Sequence, residues 1–426
     1  EVVRIVALCQ KENFALIPVG GLSSVTRAVE TPRGGISLDM TRHMNKILKI
    51  SDINGSVQVQ PGIYGPALEK VLNGKGFTCG HFPQSFEYST AGGWVAARGA
   101  GQASTGYGKI DDLVLALRVA TPAGLIETKD FPATAEAWDV NRIFIGAEGT
   151  LGVITSVTLK MRRYHPENTA FASFLFKDFA PAIRSMRSVM QAGIGFPHLF
   201  RLSDPVETAT AFKIKGFDGS VSDRFLIRRG YRPGRRVLML VSMEGDRDFT
   251  RLRKKKIKRI ARRYGAFYTG EKPVKEWLGQ RYESAYLRDP LMDAGVMTDT
   301  VETSVTWENL LNLWANVRKY LETRENTHVM AHVSHVYENG ANLYFTFLSP
   351  MKKGEEKEDY AAYHRGLIDT IQAAGGSLSH HHGIGRALAP WMEKEMGATV
   401  MGVYQAVKNY LDPKGIMNPE NMLGLK

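Results

Sequence analysis

The sequence is poor in cysteine and contains no long apolar run. Its 426 residues include 2 cysteines, Cys9 and Cys79, which excludes the disulfide-rich secreted scaffolds and predicts a reducing compartment or indifference to redox conditions. No apolar run approaches the roughly 20 residues that a membrane span needs. The chain begins at Glu1 rather than at methionine and shows no signal peptide. We therefore expect a preceding segment, in which targeting information could lie.

The motifs of the common nucleotide-binding folds are also missing. The first glycine-rich turn, Gly20–Thr26, follows a predicted strand but has neither a Gly-x-Gly-x-x-Gly pattern nor a Walker lysine. A Rossmann NAD site and a P-loop are therefore not indicated. A turn of glycines and hydroxyl side chains after a strand still presents backbone N–H groups to an anion such as a diphosphate.

Acidic residues are outnumbered by basic ones, 43 to 55, and the net charge of +12 favours anionic partners. Nine basic residues lie in segment 251–263, where Leu252, Ile257, Ile260 and Ala261 have roughly helical spacing. This pattern predicts a helix with one packed face. Its basic remainder is either a solvated face or a surface for phospholipid headgroups. Because aromatic residues do not interleave with these cations and no nucleic-acid motif is present, nucleic acid is not expected as a partner.

The length of the chain predicts two domains, and its composition of 43% hydrophobic and 10% aromatic residues predicts a globular protein. After about Arg163, longer strands flank helices, which is typical of an α+β unit. Period and capping predict six further helices: Val2–Glu12, Tyr64–Lys75, Phe179–Ala192, Trp307–Thr323, Glu358–Ala374 and Ala398–Leu411. They predict nine strands: Phe14–Val19, Ile36–Met40, Gly55–Gln60, Val114–Thr121, Gly152–Lys160, Ala170–Phe176, Val237–Met243, Val329–Tyr337 and Gly340–Phe347.

Three consecutive histidines, His380, His381 and His382, lie between glycines near the C-terminus. Imidazole titrates near neutral pH, so the triplet offers proton-transfer groups and partners for anions. Neighbouring side chains diverge and cannot all face one atom. A metal-binding tract or a loop of merely hydrogen-bonded histidines is the alternative. We favour a functional site because the cluster lies between two helical segments.

Small residues are dense in the stretches 80–94, 96–102 and 107–108, where few regular patterns occur, and again in the turn Ile145–Gly152. Such residues build thin walls through which a planar cofactor can contact the backbone. These stretches resemble the flavoproteins of the vanillyl-alcohol oxidase type. Pro18–Ser24 is similar to their diphosphate loop, with Leu22 where a third glycine usually stands, and Glu148–Ile154 is similar to a later FAD-contacting turn.

Within these flavoproteins the chain resembles the alkyldihydroxyacetonephosphate synthases from about Ile36 to Leu423. The similarity is most specific over Ser85–Val95, Tyr107–Val114 and Ser377–Gly385. It implies an α+β fold in which an FAD-binding domain of the vanillyl-alcohol oxidase (PCMH) type has an inserted α+β cap domain. We expect the FAD-binding domain at 1–163, the cap at 164–370 and a helical segment at 371–426 that returns to the first domain.

The resemblance also assigns site residues. It implies a catalytic tyrosine at Tyr344, a functionally required triplet at His380–His382, a substrate-binding arginine at Arg201 and no metal ligand. It implies that FAD, held noncovalently, is bound by Pro18, Val19, Gly20, Gly21, Leu22, Ser23, Ser24, Gln84, Ser85, Phe86, Glu87, Tyr88, Ser89, Thr90, Ala97, Arg98, Gly99, Ala100, Glu148, Gly149, Thr150, Leu151, Gly152, Val153 and Ile154. On residue chemistry alone, Arg201 suits a phosphate monoester and equally an ordinary surface position. Tyr344, between Leu343 and Phe345, is on the same basis better interpreted as a core residue with a satisfied hydroxyl.

The implied activity is exchange of the acyl group of acyl-dihydroxyacetonephosphate for a long-chain fatty alcohol in ether-lipid synthesis, without net redox. The flavin then serves as electrophile and electron sink, while Tyr344 with His381 or His382 moves protons. We expect these two substrates as partners, an anionic membrane surface as a docking site and a homodimer as the assembly. The expected location is the cytoplasm or an organelle lumen with peripheral membrane association, and the peroxisome in a eukaryote.

Two alternatives stay open at this stage. The first is an FAD-dependent oxidoreductase on the same fold that oxidises another alcohol. Its main form is a D-2-hydroxyacid dehydrogenase of the D-lactate or glycolate type, in which His332 and His335 would be candidate metal ligands. Those enzymes typically have Glu-His-Gly-Ile-Gly where this chain has His381–Gly385, and a histidine in place of Tyr344. A noncatalytic lipid- or nucleic-acid-binding protein on the same scaffold is the second alternative, which the concentration of titratable residues disfavours.

Overall fold

A computed structural model describes residues 1–422, and Leu423, the last residue of the resembling stretch, lies outside them together with residues 424–426. The chain forms two compact units. The first, here the flavin unit, comprises residues 1–101, 107–164 and the described residues from 378 onward, and the second, here the cap unit, comprises residues 102–106 and 165–377. The boundary expected at 370/371 thus falls inside a helix that belongs to the cap unit, and the short segment 102–106 departs from the expected division.

The flavin unit contains small sheets and short helices. Its strands are β1 (Leu16–Val19), β2 (Ile36–Asp39), β3 (Ile47–Ser51), β4 (Ser56–Val59), β5 (Phe77–Thr78), β6 (Val114–Thr121), β7 (Gly124–Glu127), β8 (Val153–Lys160) and β9 (Arg162–Arg163). Its helices are α1 (Val2–Glu12), α2 (Gly65–Asn73), α3 (Ala91–Ala96), α5 (Ile110–Leu113), α6 (Asn141–Phe144), α15 (Gly385–Leu388), α16 (Met392–Met396) and α17 (Ala398–Leu411). Helix α4 (Ser104–Tyr107) lies in the cap unit except for its last residue.

Two sheets organise this unit. β1 and β2 pair in parallel, and Met417 adds a parallel bridge to Leu16 on β1. The other sheet has the order β3-β4-β8-β6-β7 and is antiparallel. A core of Val6, Cys9, Leu16, Val153 and Met417 joins the first helix, both sheets and the C-terminal segment. Residues from the two ends of the chain therefore build one hydrophobic core.

The cap unit is a seven-stranded sheet with helices packed on it. Its strands are β10 (Ala170–Phe176), β11 (Leu199–Ser203), β12 (Val237–Met243), β13 (Phe267–Gly270), β14 (Val296–Thr306), β15 (His328–Val333) and β16 (Gly340–Pro350), in the order β13-β10-β12-β11-β15-β16-β14. Its helices are α7 (Phe179–Met190), α8 (Pro205–Ile214), α9 (Val221–Arg228), α10 (Arg247–Arg263), α11 (Lys272–Gln280), α12 (Arg288–Asp293), α13 (Leu310–Leu321) and α14 (Glu356–Ala373).

Most sequence-based elements occur, but some expectations were wrong. Helix α3 was not predicted, and its start is set by Thr90, whose Oγ1 accepts a hydrogen bond from the Gly93 N–H. The strand predicted to run to Tyr337 ends at Val333, because the Asn342 side chain accepts the N–H groups of Ser334 and His335 and turns the chain. None of the described helices has both the length and the apolar character to cross a membrane.

The basic helix also differs from its prediction. It begins at Arg247, four residues before the basic segment, and Asp246 caps it by accepting the N–H groups of Asp248 and Phe249. Ile257 and Ala261 are buried as expected, but Leu252 is 47% exposed and Arg253 is buried in its place. The guanidinium of Arg253 donates to the carbonyl of Phe196, which explains how a cation can occupy the packed face.

Candidate active site

The loop after β1 forms a cradle of close backbone contacts. A Cβ atom at Gly20 would collide with Oγ1 of Thr90, and one at Gly21 would collide with the carbonyl of Tyr88, so only glycine fits at both positions. Among residues 1–422, the backbone N–H groups of Gly21 and Leu22 have no hydrogen-bond acceptor. Unpaired N–H groups after a strand suit the oxygen atoms of a diphosphate.

The later glycine-rich turn lies against the same loop. A Cβ atom at Gly149, where φ is +75°, would lie 2.7 Å from Cγ of Pro18. The N–H of Glu148 donates to the carbonyl of Ala96 at 2.9 Å, which joins this turn to the end of helix α3. The flavin unit thus brings together all four segments that the resemblance assigned to FAD: 18–24, 84–90, 97–100 and 148–154. Their glycine contacts and unpaired N–H groups fit this cofactor.

Leu22 sits in this loop with φ +55° and 64% of its surface exposed. A left-handed backbone is unfavourable for a branched side chain by about 1–2 kcal/mol but costs glycine nothing. We therefore expect Leu22→Gly to relieve local strain, tighten FAD binding by a few-fold and leave the unfolding temperature unchanged or slightly higher. Fluorescence titration with FAD measures the affinity, and Leu22→Ala, which keeps the strain, is the matched control. Weaker FAD binding by Leu22→Gly than by Leu22→Ala would contradict this expectation.

A carboxylate from the same turn holds the segment that follows the histidine triplet. The two oxygens of Glu148 accept the backbone N–H groups of Ile384 at 2.6 Å and Gly385 at 2.8 Å, and Asn421 Nδ2 donates at 3.0 Å. Burial raises the pKa of Glu148, and these hydrogen bonds lower it by less. We call Glu148 with its three partners the carboxylate latch. It fixes the glycine turn and the end of the histidine loop to each other.

The three histidines diverge as expected. The ring centroids of His380 and His381 are 5.1 Å apart at 76°, and those of His381 and His382 are 4.5 Å apart at 64°. His380 is buried, whereas His381 and His382 are partly exposed. The Nδ1 atoms of His380 and His381 lie 2.9 Å apart, so one carries a proton and the other accepts it. Lys109 Nζ also donates to the His380 carbonyl at 2.5 Å.

In the cap unit, Tyr344 lies on the face of β16 opposite to the apolar core. Leu343 and Phe345 are fully buried on the core side, and Tyr344 pairs across the sheet with His332 on β15 and Glu302 on β14. Directly paired residues point to the same side of a sheet. Tyr344 therefore lies on the polar face of β16, outside the apolar layer that Leu343 and Phe345 build.

Arg201, Glu207 and His332 form a compact polar cluster beside this tyrosine. Nη2 of Arg201 donates to Oε1 of Glu207 at 2.8 Å, and Nδ1 of His332 lies 3.0 Å from the same oxygen. The His332 ring stacks on Tyr344 with centroids 4.8 Å apart and planes 13° apart. The Arg201 guanidinium also lies over the Trp277 ring, 5.3 Å from its centroid. His332, which had a role only under the dehydrogenase alternative, thus connects the predicted arginine to the predicted tyrosine.

The pKa values of Glu207 and Tyr344 are shifted in opposite directions. Burial alone would raise the pKa of Glu207, but Arg201 and His332 outweigh it and hold the pKa at about 2. Burial, with the carboxylates of Glu302 and Asp299, raises the pKa of Tyr344 to about 12. A hydrogen bond with Thr300 and the charge of Arg201 lower that pKa, but by less. At neutral pH, Glu207 is therefore an anion and Tyr344 carries its proton.

His335, the other histidine without an assigned role, is buried in the cap unit. Its Nδ1 atom lies 2.7 Å from Oγ of Ser104, in the short segment 102–106. The Val336 N–H donates to Oγ1 of Thr105 at 3.1 Å. These contacts give His335 a structural partner.

Several residues of both units escaped the sequence analysis. Glu148 was expected only as a cofactor contact, whereas its carboxylate binds a segment 236 residues away. Lys109 lies inside a stretch quoted for its similarity, yet no pattern singled it out. Glu207 lies in the first turn of α8, which Asp204 caps by accepting the Glu207 N–H at 2.8 Å. An acidic residue after an N-cap is so common that it gives no functional signal.

Comparisons with known proteins agree with this architecture. Residues 1–129 match the family described as FAD binding domain, and residues 165–422 match the family described as FAD linked oxidases, C-terminal domain. The solved structure of p-cresol methylhydroxylase superposes with a TM-score of 0.77 over 100% of this chain and 87% of that chain, at 14% identity. That likeness establishes the fold, and the expected α+β fold with an FAD-binding domain of this type is confirmed.

Three curated relatives that are more than 30% identical to this chain carry the same name. The alkyldihydroxyacetonephosphate synthase of Dictyostelium discoideum is 34% identical over 99% of this chain and 71% of its own length. That of Caenorhabditis elegans is 34% identical over 100% of this chain and 74% of its own length. A solved alkyldihydroxyacetonephosphate synthase superposes with a TM-score of 0.81 at 32% identity, covering 98% of this chain and 74% of that chain. The D-lactate dehydrogenase of Arabidopsis thaliana is 24% identical. The chain therefore belongs to the alkyldihydroxyacetonephosphate synthase family of FAD-linked oxidases.

Proposed function

We propose that this protein is an FAD-dependent alkyldihydroxyacetonephosphate synthase. It replaces the acyl group of acyl-dihydroxyacetonephosphate with a long-chain fatty alcohol and releases the acyl group as a fatty acid, with no net redox. The observation that carries this proposal is the similarity to the curated synthases, at 34% identity over 99% of the chain. Tyr344, where the dehydrogenases typically have a histidine, supports the synthase over the dehydrogenase.

The flavin unit binds and positions the cofactor. The loop 20–24 offers its N–H groups to the diphosphate, and the glycines at 20, 21 and 149 allow close approach of the backbone. When bound, FAD supplies an electrophile and an electron sink. The carboxylate latch keeps the histidine loop in one arrangement, and the partly exposed His381 and His382 offer imidazoles that can accept or return a proton.

The cap unit supplies an arginine that can bind the substrate phosphate and a tyrosine that can donate a proton. Both bonds of Arg201 to its neighbours use Nη2, so its guanidinium keeps further N–H donors for a phosphate monoester. Glu207 fixes the direction of that guanidinium. Tyr344 holds a proton on Oη at neutral pH and can supply it to the departing carboxylate, while the stacked His332 ring restricts its orientation.

The direct experiment incubates the FAD-loaded protein anaerobically with palmitoyl-dihydroxyacetonephosphate and hexadecanol. We expect hexadecyl-dihydroxyacetonephosphate and free palmitate, detected by mass spectrometry in equal amounts, without lasting bleaching of the flavin absorbance. Absence of exchange together with bleaching by D-lactate or glycolate would overturn the proposal in favour of the dehydrogenase. Failure of the chain to acquire any flavin would overturn every FAD-dependent reading.

We further propose that α10 docks the protein on an anionic membrane, which would give the enzyme access to its lipid substrates. Lys255, Lys256 and Arg259 are exposed on this helix, and Phe249 and Leu252 are 48% and 47% exposed near its N-terminus. Exposed cations beside exposed apolar side chains suit the headgroup region of a bilayer. The location that follows is peripheral, in the cytoplasm or an organelle lumen, and in the peroxisome of a eukaryotic cell. A homodimer stays a prediction, which sedimentation analysis can test.

Charge-reversal variants measure how much α10 contributes to membrane binding. Each basic residue near an anionic surface contributes about 1 kcal/mol, so we expect Lys255→Glu/Lys256→Glu/Arg259→Glu to weaken binding to phosphatidylserine vesicles by at least about 10²-fold. Vesicle co-sedimentation at fixed ionic strength gives the affinity. The matched control is Lys46→Glu/Lys70→Glu/Lys75→Glu, which changes the net charge equally at exposed lysines of the flavin unit. An equal loss of vesicle affinity in both triple variants would show that α10 has no specific role in membrane binding.

A further inference from the structure

His81 is a buried titratable residue that the proposed reaction does not yet use. It follows β5 in the flavin unit, and its side chain is 1% exposed. Neither Nδ1 nor Nε2 has a hydrogen-bond partner among residues 1–422. Buried polar atoms are nearly always paired in native proteins, and each unpaired one costs free energy. An imidazole with two unpaired nitrogens is therefore incomplete without a ligand.

The surroundings of His81 do not supply this partner. The Trp94 ring lies 4.8 Å from the imidazole centroid, but Trp94 Nε1 already donates to Ser89 Oγ at 2.7 Å. On another side a Cβ atom at Gly99 would lie 3.7 Å from His81 Nε2, so this nitrogen borders the segment 97–100 that the resemblance assigned to FAD. The N–H and C=O groups of Gly99 already pair with Trp94 and Ile110, so the backbone here does not satisfy the imidazole either.

Burial and nearby charges determine the protonation state of the His81 imidazole. Burial, together with the nearby charges of Lys109 and His381, lowers the pKa of His81 to about 3, against the opposing effect of Asp111. At neutral pH the imidazole is neutral, so one nitrogen donates a hydrogen bond and the other accepts one. A neutral donor–acceptor pair suits an uncharged heteroaromatic ring whose edge carries both N–H and carbonyl groups.

We propose that His81 is a further cofactor-binding residue, whose neutral imidazole hydrogen-bonds the pyrimidine edge of the flavin ring of FAD. This inference rests on the FAD-dependent function proposed above and adds a residue that lies outside the four segments assigned to FAD. The diphosphate cradle explains how the anionic part of FAD is held. His81 would hold the ring system instead, and would tune its electron affinity through the hydrogen bond.

The test uses the full chain, stripped of FAD and titrated back. His81→Phe keeps an aromatic ring against Trp94 and removes both nitrogens, whereas His81→Asn keeps one donor and one acceptor. We expect His81→Phe to weaken FAD binding by roughly tenfold and to shift the visible flavin absorption bands, and His81→Asn to recover part of both effects. The control is His43→Phe at an exposed histidine of the same unit.

A second measurement guards against misfolding of the His81→Phe variant. In wild-type protein with ¹⁵N-labelled histidine, the imidazole resonances of His81, assigned with His81→Asn, should shift when FAD is added. Wild-type affinity and spectrum in a folded His81→Phe variant would overturn the proposal, and so would unchanged His81 resonances. Synthase activity is measured separately, so a protein that binds FAD through His81 but catalyses no exchange would sink the proposed function and not this inference.

Discussion

Replacement of Tyr344 by phenylalanine should lower kcat by about 10²–10⁴-fold, the usual range for removal of a general acid or base. The change removes Oη alone and keeps the ring that stacks on His332 at 4.8 Å. Since the pKa of Tyr344 is about 12, the lost group is a protonated phenol, and the variant loses a proton donor. Steady-state synthase kinetics at saturating substrate measure the effect, with flavin content determined from the absorbance of the purified protein.

The control for this variant is Tyr410→Phe, at a tyrosine that is 77% exposed on α17. It should retain wild-type kinetics. His332→Phe adds a sharper comparison, because it keeps the stacked ring but removes the nitrogen near Arg201 and Glu207. We expect it to raise KM for the phosphorylated substrate more than it lowers kcat. A Tyr344→Phe variant with full kcat and normal flavin content would remove the tyrosine from the mechanism.

Replacement of Glu148 by glutamine should destabilise the flavin unit by about 2–4 kcal/mol and lower FAD affinity by at least tenfold. One oxygen of Glu148 accepts from Ile384, and the other accepts from Gly385 and Asn421. A glutamine amide has a single oxygen, so its NH₂ group would face at least one N–H donor and leave it unpaired. Thermal unfolding and FAD titration of the full chain measure the two effects.

Glu136→Gln, in an exposed loop of the same unit, provides the isosteric control and should behave as the wild type. The pH dependence gives an independent test. Because the pKa of folded Glu148 lies above its ordinary value, protonation of this residue favours the folded state. Its contribution is fully present below the unfolded pKa and is lost as pH rises through the folded pKa. The stability difference between wild type and Glu148→Gln should therefore shrink with rising pH over that window, and a growing difference would contradict the assignment.

The fold was largely predictable because its signals are local. Strong alternation in β16 and the apolar run of β12 identify strands, and the bounds Val237–Met243 and Ala398–Leu411 were correct to the residue. Helix α3 was missed because two of its six residues are glycines, which disfavour a helix interior. Its stability comes from Thr90 at the N-cap and from tertiary contacts, neither of which appears as hydrophobic periodicity.

The site was predictable only where short motifs carry it. The glycine turns and the histidine triplet are contiguous in sequence, and their family resemblance located them. The latch joins Glu148 to Gly385 across 237 positions, and spacing gives no clue to such a contact. The stacking of His332 on Tyr344 depends on the register between β15 and β16, which only the folded sheet defines.

The discontinuous make-up of the flavin unit has a consequence for its biosynthesis. Met417 bridges to Leu16, Asn418 donates to the carbonyls of Ala28 and Glu148, and Asn421 completes the latch. A ribosome makes the chain from the N-terminus, so the first 164 residues wait for the entire cap unit before their last partners emerge. Stable cofactor loading therefore belongs to the released polypeptide. Until then, the nascent flavin unit exposes unpaired core surface that a chaperone can bind.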